Sequence, residues 1–384
     1  MQLSIIVPVY NMAEDERLAW CLESLVNQQT LEGEPLEDYE IIAVDDCSTD
    51  NSADVLRAYA EQYIEKVRVY FGDRNRHQGG AKNQALAHAR GEWIAFIDAD
   101  DWVAEDYFAR LMAKAQETGA DCVGTDYCIV HKHTMEPGPV VANSRAEQAG
   151  PVDDARRRSL LLDFGSLCVK IYRRRIVYGE MVFRAAGDGR PPRLAIFPED
   201  IFYEDNAVAK TWVMRIHHFE YVPGPLYYYY QHDDSTVHTI SLRRLMDRRT
   251  SGRLMIEEAR RRGYLDAYRP EIEYAFTVLF YKNTLFGAMQ SLKDEEVRNA
   301  AAADKPCPGA APADRVYRSV YDFVTDLACE MKETFPDFQN NPYYQDRTDA
   351  EEKKLIAMQM ASPRRFYAYY RMLWFYRRIR YGRK

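Results

Sequence analysis

Residues 94–102, Ile94-Ala95-Phe96-Ile97-Asp98-Ala99-Asp100-Asp101-Trp102, run four apolar side chains directly into three carboxylates within four positions. Four apolar residues in succession predict a buried strand. A buried strand that ends in packed negative charge is electrostatically unfavourable, because like charges repel and each carboxylate resists leaving water. A divalent cation resolves the conflict, since hard cations take carboxylate oxygens and share them with phosphates. The plainer reading is a solvated strand-to-helix turn in which Asp101 caps the following helix.

Around this stretch the first 130 residues alternate strand and helix patterns. Strands are expected at 3–9, 39–44, 66–71, 93–97 and 121–130. Helices are expected over about 15–29, from Ser48 or Asp50 to 63, from Gly79-Gly80 to 89, and over about 104–118. Near-continuous apolar strands between amphipathic helices predict an α/β fold with a mostly parallel sheet covered on both faces. Ligands of such sheets bind at the carboxyl ends of the strands. Polar residues gather at those ends here: Asn11, Asp45-Asp46, residues 74–77 and residues 98–101. Further on, 131–151 and 187–193 read as loops, 203–215 as a helix, 219–222 and 226–230 as short strands, and the chain past about 241 as helical. An Ala/Pro-rich segment, 300–313, reads as a mobile connection.

Composition excludes several classes. With 47% hydrophobic and 29% charged residues, the 384-residue chain is an ordinary globular sequence, long enough for two domains. Its seven cysteines are odd in number and never spaced CxxC, which argues against a disulfide framework and a zinc site. The N-terminus opens on a strand without the basic region of a signal peptide, and no run of about 18 apolar residues occurs, so a cytoplasmic location is expected. The net charge of −8 divides into eight Arg/Lys without an acid in 363–384 and −16 on residues 1–362. An acidic body with a basic tail is not the footprint of a nucleic-acid binder.

Four sequence elements stand in order: Ser4-Ile5-Ile6-Val7-Pro8-Val9-Tyr10-Asn11, then Val44-Asp45-Asp46-Cys47-Ser48-Thr49-Asp50, then Phe96-Ile97-Asp98-Ala99-Asp100-Asp101, and finally Tyr203-Glu204-Asp205. Together they resemble the inverting family 2 glycosyltransferases of GT-A fold, over about residues 2–238. The resemblance implies a GT-A domain at 1–240 followed by a helical region at 241–384. It also implies a nucleoside-diphosphate sugar donor, uridine-linked by default, a divalent Mn2+ or Mg2+ ion, and a glycan, wall-polymer or lipid-linked acceptor. Pro8, Tyr10, Asn11 and Asp45 fall on the nucleoside side. Asp98 and Ala99 belong to the DxD element, where Asp98 holds the ribose or a metal-bound water and Asp100 ligates the metal. A histidine after the last core strand completes the metal shell in related enzymes, and His232 matches it best, with His238 second.

Each element also has a reading of its own. Asp45-Asp46 closes a strand where carboxylates can accept hydrogen bonds from a base or ribose, or cap the next helix. Gly79-Gly80 permits close approach of backbone to a ligand, and a helix N-terminus favours anions. Lys82 stands where family members usually carry Arg; it offers a point charge to a diphosphate, or is a solvated surface lysine. An inverting transfer needs a carboxylate to take the acceptor proton. By resemblance that is Asp205, with Glu204 its alternative and Glu199-Asp200 a second acidic pair nearby. The segment 167–174 resembles a family stretch that walls the cleft.

The tail interleaves Phe366, Tyr367, Tyr369, Tyr370, Trp374, Phe375, Tyr376 and Tyr381 with arginine. It suits a helix on the inner face of an anionic bilayer, or an arm packed on the body or on a second subunit. Two other functions share part of the pattern. A sugar-phosphate nucleotidyltransferase would carry a Gly-rich loop after the first strand, and Val9-Tyr10-Asn11-Met12-Ala13-Glu14 has no glycine. A non-catalytic sugar-nucleotide-binding subunit would not need a positioned base.

Overall fold

The computed structural model describes residues 1–179, 183–184, 194–231, 240–303 and 317–381. The chain forms two compact units, one of Met1–Ala185 with Pro191–Ser235 and one of Ala186–Arg190 with Thr236–Lys384.

The first unit is built on β1 (Leu3–Val9), α1 (Arg17–Val26), β2 (Tyr39–Asp45), α2 (Ser52–Gln62), β3 (Val67–Phe71), α3 (His77–Leu86), β4 (Trp93–Phe96), β5 (Trp102–Val103), α4 (Tyr107–Thr118) and β6 (Cys122–Val130). Short β7 (Val140–Val141) and β8 (Gly150–Pro151) follow. Then come α5 (Asp154–Asp163), β9 (Lys170–Arg173), α6 (Arg174–Tyr178), a two-stranded ribbon of β10 (Phe183–Arg184) and β11 (Leu194–Ala195), α7 (Glu204–Arg215) and β12 (His218–Tyr230). The main sheet runs β3-β2-β1-β4-β9-β6-β12-β5. Its first four strands are parallel, as their near-continuous apolar character predicts. The sheet is nevertheless mixed, because β9 enters antiparallel between β4 and β6.

Local chemistry explains the elements. All seven residues of β1 and of β2 are buried, so neither strand has a solvent face. On α1, Leu18, Cys21, Leu22, Leu25 and Val26 repeat at helical spacing and face the sheet. Gly119 ends α4 in the left-handed conformation at φ 73°. Pro8 lies inside β1 without breaking it. The Ile6 carbonyl accepts from Ile97 and the Val9 carbonyl from Asp46, so even-numbered residues of β1 face β4 and odd ones face β2. β4 pairs with β1 only as far as Ile6, so the nitrogen of Pro8 leaves no ladder bond unmade. On the other flank Trp212 of α7 packs against Phe96, Tyr172 and Phe197 at 5.7, 5.1 and 5.5 Å.

Several boundaries differ from the sequence reading. The two strands expected at 219–222 and 226–230 are one strand, β12, with register shifts between Val222 and Tyr227. Gly224, at φ 109°, lets the backbone turn through this Pro-Gly-Pro step without ending the pairing. The loop expected at 187–193 lies outside the described residues.

The second unit is helical: α8 (Leu242–Arg261), α9 (Arg269–Phe276), a π-helical turn (Thr277–Lys282), α10 (Asn283–Ser291), α11 (Asp294–Ala303), α12 (Val320–Thr334), α13 (Pro342–Arg347), α14 (Ala350–Ala361) and α15 (Pro363–Tyr381). Ser241, Ser319, Asn341 and Asp349 cap four of these helices through their side chains. Buried Arg249 of α8 reaches Asp326 and Glu330 of α12 at 2.8 and 2.6 Å. Residues 300–303, expected in a mobile connection, end helix α11; 304–316 lie outside the described residues.

Candidate active site

Buried carboxylates sort by which end of the sheet they occupy. At the amino end, Glu40 accepts from Ser4 Oγ at 2.7 Å and from Arg90, and pairs with Arg68 at 2.7 Å. Burial alone would raise its pKa, but Ser4 and Arg90 hold it below the usual carboxylate range. Asp121 is likewise satisfied, by the His217 and His218 amides and by Arg175. At the carboxyl end two carboxylates are only partly satisfied. Asp45 closes β2 and takes the Ser48 amide on Oδ2 at 3.2 Å, while its buried Oδ1 has no hydrogen-bond partner among the described residues. Asp98, two residues past β4, takes the Cys168 thiol on Oδ2 at 3.4 Å, and its buried Oδ1 likewise has none among them. Orphaned buried acceptors cost about 1–3 kcal/mol each, so two at one end of a sheet mark a place prepared for a ligand.

The DxD turn is held from β12. The Tyr227 hydroxyl donates to Asp101 Oδ2 at 2.6 Å, the Tyr230 amide donates to Asp101 Oδ1 at 2.9 Å, and the Asp98 amide donates to the Tyr227 hydroxyl at 3.4 Å. Asp101 is thus a buried strut, not the cap of α4, whose first turn begins six residues later after Asp106. Burial, then the charges of Asp100 and Asp98, push Asp101 well up. Asp98 is also raised, by burial first, against the lowering pull of Lys82. Ala99 is buried between the two carboxylates.

A divalent ion fits this donor set. Among the described residues no three His, Cys, Asp or Glu side chains gather to hold a metal by themselves. Magnesium-like ions commonly bind through one or two carboxylates and complete their shell with substrate phosphates and water. Asp100 and the orphaned oxygen of Asp98 match that mode. His232 and His238 lie outside the described residues.

The tops of β1 and β2 are laced together. Asn11, at φ 54°, donates its amide to Ser48 Oγ at 2.9 Å, and its Oδ1 accepts from the Thr49 amide at 2.7 Å. The Asn11 side chain, read from sequence as a nucleotide contact, is therefore engaged within the fold. Tyr10 beside it is 41% exposed and Pro8 is buried. Asp46 accepts the Arg76 amide at 2.9 Å and fixes the loop before α3; burial pushes it up to about 7.

Three further residues read from sequence as site residues, Gly80, Lys82 and Glu204, have close partners within the fold. A Cβ on Gly79 would sit 2.0 Å from the Pro198 carbonyl, and one on Gly80 would sit 2.2 Å from the Arg76 side chain. The glycines admit protein at close range, so Gly80 is explained by packing rather than by a phosphate. Lys82, expected against a diphosphate, is buried and donates to Glu204 Oε1 at 2.7 Å and to Gln78 at 3.1 Å. Burial disfavours its charge, but Glu204, Asp98 and Asp205 outweigh that and raise it. Glu204, the alternative base, is the other half of this buried pair.

The remaining acids of the segment also have partners. Asn83, which sequence reasoning missed, takes the Ile196 and Phe197 amides on Oδ1 at 2.9 Å each and donates to Glu199 Oε1 at 3.1 Å. Asp200 receives both guanidinium nitrogens of Arg74 at 2.5 and 3.0 Å. Asp205 differs. It sits in the first turn of α7, half-buried, and among the described residues accepts only from its neighbour Asn206, through the amide at 2.8 Å and Nδ2 at 2.9 Å, both on Oδ1. Burial, then the charge of Glu204, push it up to about 6, against the pull of Lys82. The charge of Asp98 adds to the same upward push. Cys168, whose thiol touches Asp98, was read only as part of the cleft wall.

A mixed α/β sheet with a DxD turn and an acidic helix start at its carboxyl end is an arrangement of GT-A type. Residues 4–178 match the family described as glycosyl transferase family 2. Over 121 residues the chain is 39% identical to the poly(ribitol-phosphate) beta-glucosyltransferase of Bacillus spizizenii, covering 32% of this chain and 18% of that protein. Over 166 residues it is 33% identical to the glycosyltransferase alr2836 of Nostoc sp., covering 43% and 47%. The chain thus spans less than half the length of these relatives. Among solved structures, S. aureus TarS 1–349 in complex with UDP-GlcNAc superposes with a TM-score of 0.60 at 18% identity, covering 100% of this chain and 93% of that one, which is a likeness of fold.

Proposed function

We propose that the chain transfers a sugar, with inversion, from a nucleoside-diphosphate sugar to a hydroxyl of a glycan, wall-polymer or lipid-linked acceptor. The observation that carries this reading is the pair of orphaned carboxylate oxygens, on Asp45 and Asp98, at the carboxyl end of the sheet. Asp45 accepts from the nucleoside, and Asp98 from the ribose or a water. Asp100, with Asp98, holds a divalent ion, Mn2+ or Mg2+, which supplies neutralising charge to the departing diphosphate. Asp205 takes the acceptor hydroxyl's proton as the new bond forms, while the Lys82–Glu204 pair keeps the first turn of α7 in place. The donor is taken as uridine-linked, in keeping with the UDP-GlcNAc bound by TarS.

The test is product analysis. The chain, with Mn2+ and a panel of sugar nucleotides, is expected to release nucleoside diphosphate and to give a glycoside of inverted anomeric configuration. Pyrophosphate release from a nucleoside triphosphate and a sugar phosphate would instead identify a nucleotidyltransferase. Donor binding without turnover, over all acceptors tried, would leave a binding subunit.

A further inference from the structure

Helix α15 has two unlike halves. Its first half is moored to the second unit: Phe366 and Tyr370 are buried, Tyr370 stacks on Phe286 at 5.9 Å and receives a hydrogen bond from Gln290 at 3.1 Å, and Tyr367 meets Tyr321 edge-on at 5.6 Å. Beyond Tyr370 the described side chains turn mostly to solvent. Met372, Trp374, Phe375 and Tyr376 are 62%, 40%, 67% and 54% exposed, the densest group of exposed large apolar side chains on the described surface. On a helix, Arg364, Arg365, Ala368, Arg371, Met372, Phe375 and Tyr376 share the side opposite Phe366 and Tyr370, and all seven are exposed.

We propose that this face docks on an anionic lipid bilayer, with Met372, Phe375 and Tyr376 entering the interfacial zone and the arginines meeting lipid phosphates. Two features select a bilayer over a protein surface. The side chains are large and aromatic, and Trp and Tyr favour the headgroup level, where an apolar ring and a polar edge are both accommodated. The charge is one-sided: 363–384 holds eight basic residues and no acid, in a chain of net charge −8. A uniformly cationic, aromatic strip complements a continuous negative surface, and each arginine near such a surface strengthens binding by roughly five-fold. No helix of the described residues is long and apolar enough to cross a membrane, so the contact is peripheral. The proposal extends the glycosyltransferase reading towards an acceptor held at a membrane, yet its test is independent of catalysis.

The full chain is sedimented with vesicles of phosphatidylcholine alone and with vesicles containing about one-third phosphatidylglycerol, at low and high salt. Binding is expected to the anionic vesicles only, and to weaken with salt. Arg364→Gln/Arg365→Gln/Arg371→Gln should reduce it about 100-fold, and Met372→Ser/Phe375→Ser should abolish it. Both sets of substitutions lie on exposed positions, so thermal unfolding should be unchanged. A chain that stays in the supernatant with anionic vesicles overturns the proposal, as does unaltered binding by the serine variant. Sedimentation velocity without lipid supplies the competing outcome: concentration-dependent dimers lost in the serine variant would assign the face to a second copy. Nucleoside diphosphate release in detergent-free buffer, measured on the same variants, should be unchanged, so a failed glycosyltransferase reading and a failed docking surface give different results.

Discussion

Asp205→Asn is expected to lower kcat by about 10²–10⁴-fold, the range for loss of a general base, while donor affinity stays within about two-fold of the parent. The substitution keeps the size of the side chain and its Oδ1, so the hydrogen bonds from Asn206 survive. It removes the negative charge that must accept a proton. The same carboxyl sets a pH profile. Raised to about 6 by burial and by Glu204, it is protonated and idle below that value, so kcat should fall as pH drops through about 6. The residual activity of Asp205→Asn should lack that limb. Steady-state kinetics between pH 5 and 8, with donor affinity from calorimetry, checks both halves. Unchanged turnover in the variant would remove Asp205 from the mechanism, and a persisting acid limb would assign it to another group.

Lys82→Met is expected to act on the fold before it acts on the donor. Its ammonium and the Glu204 carboxylate are 4% and 5% exposed, so removing one partner strands a buried charge. Breaking such a pair costs about 3–5 kcal/mol, which for a domain of this size lowers Tm by roughly 10 °C. The double variant Lys82→Met/Glu204→Leu should regain much of the loss, because a well-packed apolar pair replaces two desolvated ions. Calorimetric unfolding of the single and double variants gives the coupling directly. A diphosphate contact predicts a different pattern: Lys82→Met near parental stability, with donor affinity reduced. That pattern would restore the role read for Lys82 from sequence.

How far the sequence spoke depended on whether the relevant physics was local. Strands β1, β2 and β4 were legible because burial on both faces leaves mainly apolar residues, with Ser4 and Glu40 the buried exceptions, and the strand ends were marked by Asn11, Asp45 and Asp98. Strand β9 was not, because Lys170 and Arg173 interrupt its apolar pattern. Lys170 is fully buried, donates to the Ser166 carbonyl at 2.6 Å and is pushed down to about 7 by desolvation, a solution that no nearby residue announces. Strand β12 was divided in two because Pro223-Gly224-Pro225 signals a turn, while pairing with β6 carries the strand through it. Helix α3 begins at His77, with Gly79-Gly80 inside it, because the space those glycines leave is filled by Pro198 and Arg76.

The site followed the same rule. The acidic turn 98–101 was conspicuous in one dimension, and so was the acidic run 199–205. Which of the acids in that run stays available was not, since the answer lies in partners more than a hundred residues away: Asn83 for Glu199, Arg74 for Asp200 and Lys82 for Glu204. Only those pairings single out Asp205. Asn11 shows the converse, a motif residue whose side chain fastens one strand end to the next turn.

The central claim is that Asp98 and Asp100 hold a cation that grips the donor's diphosphate. Titration calorimetry of UDP into the full chain, with Mn2+ and again with excess chelator, tests it most directly when repeated on Asp100→Asn. The account predicts binding with Mn2+, a loss of roughly 100-fold or about 2.7 kcal/mol on chelation, and a comparable loss in the variant. Equal affinity with and without the ion, or an Asp100→Asn variant that binds UDP and Mn2+ like the parent, would contradict it.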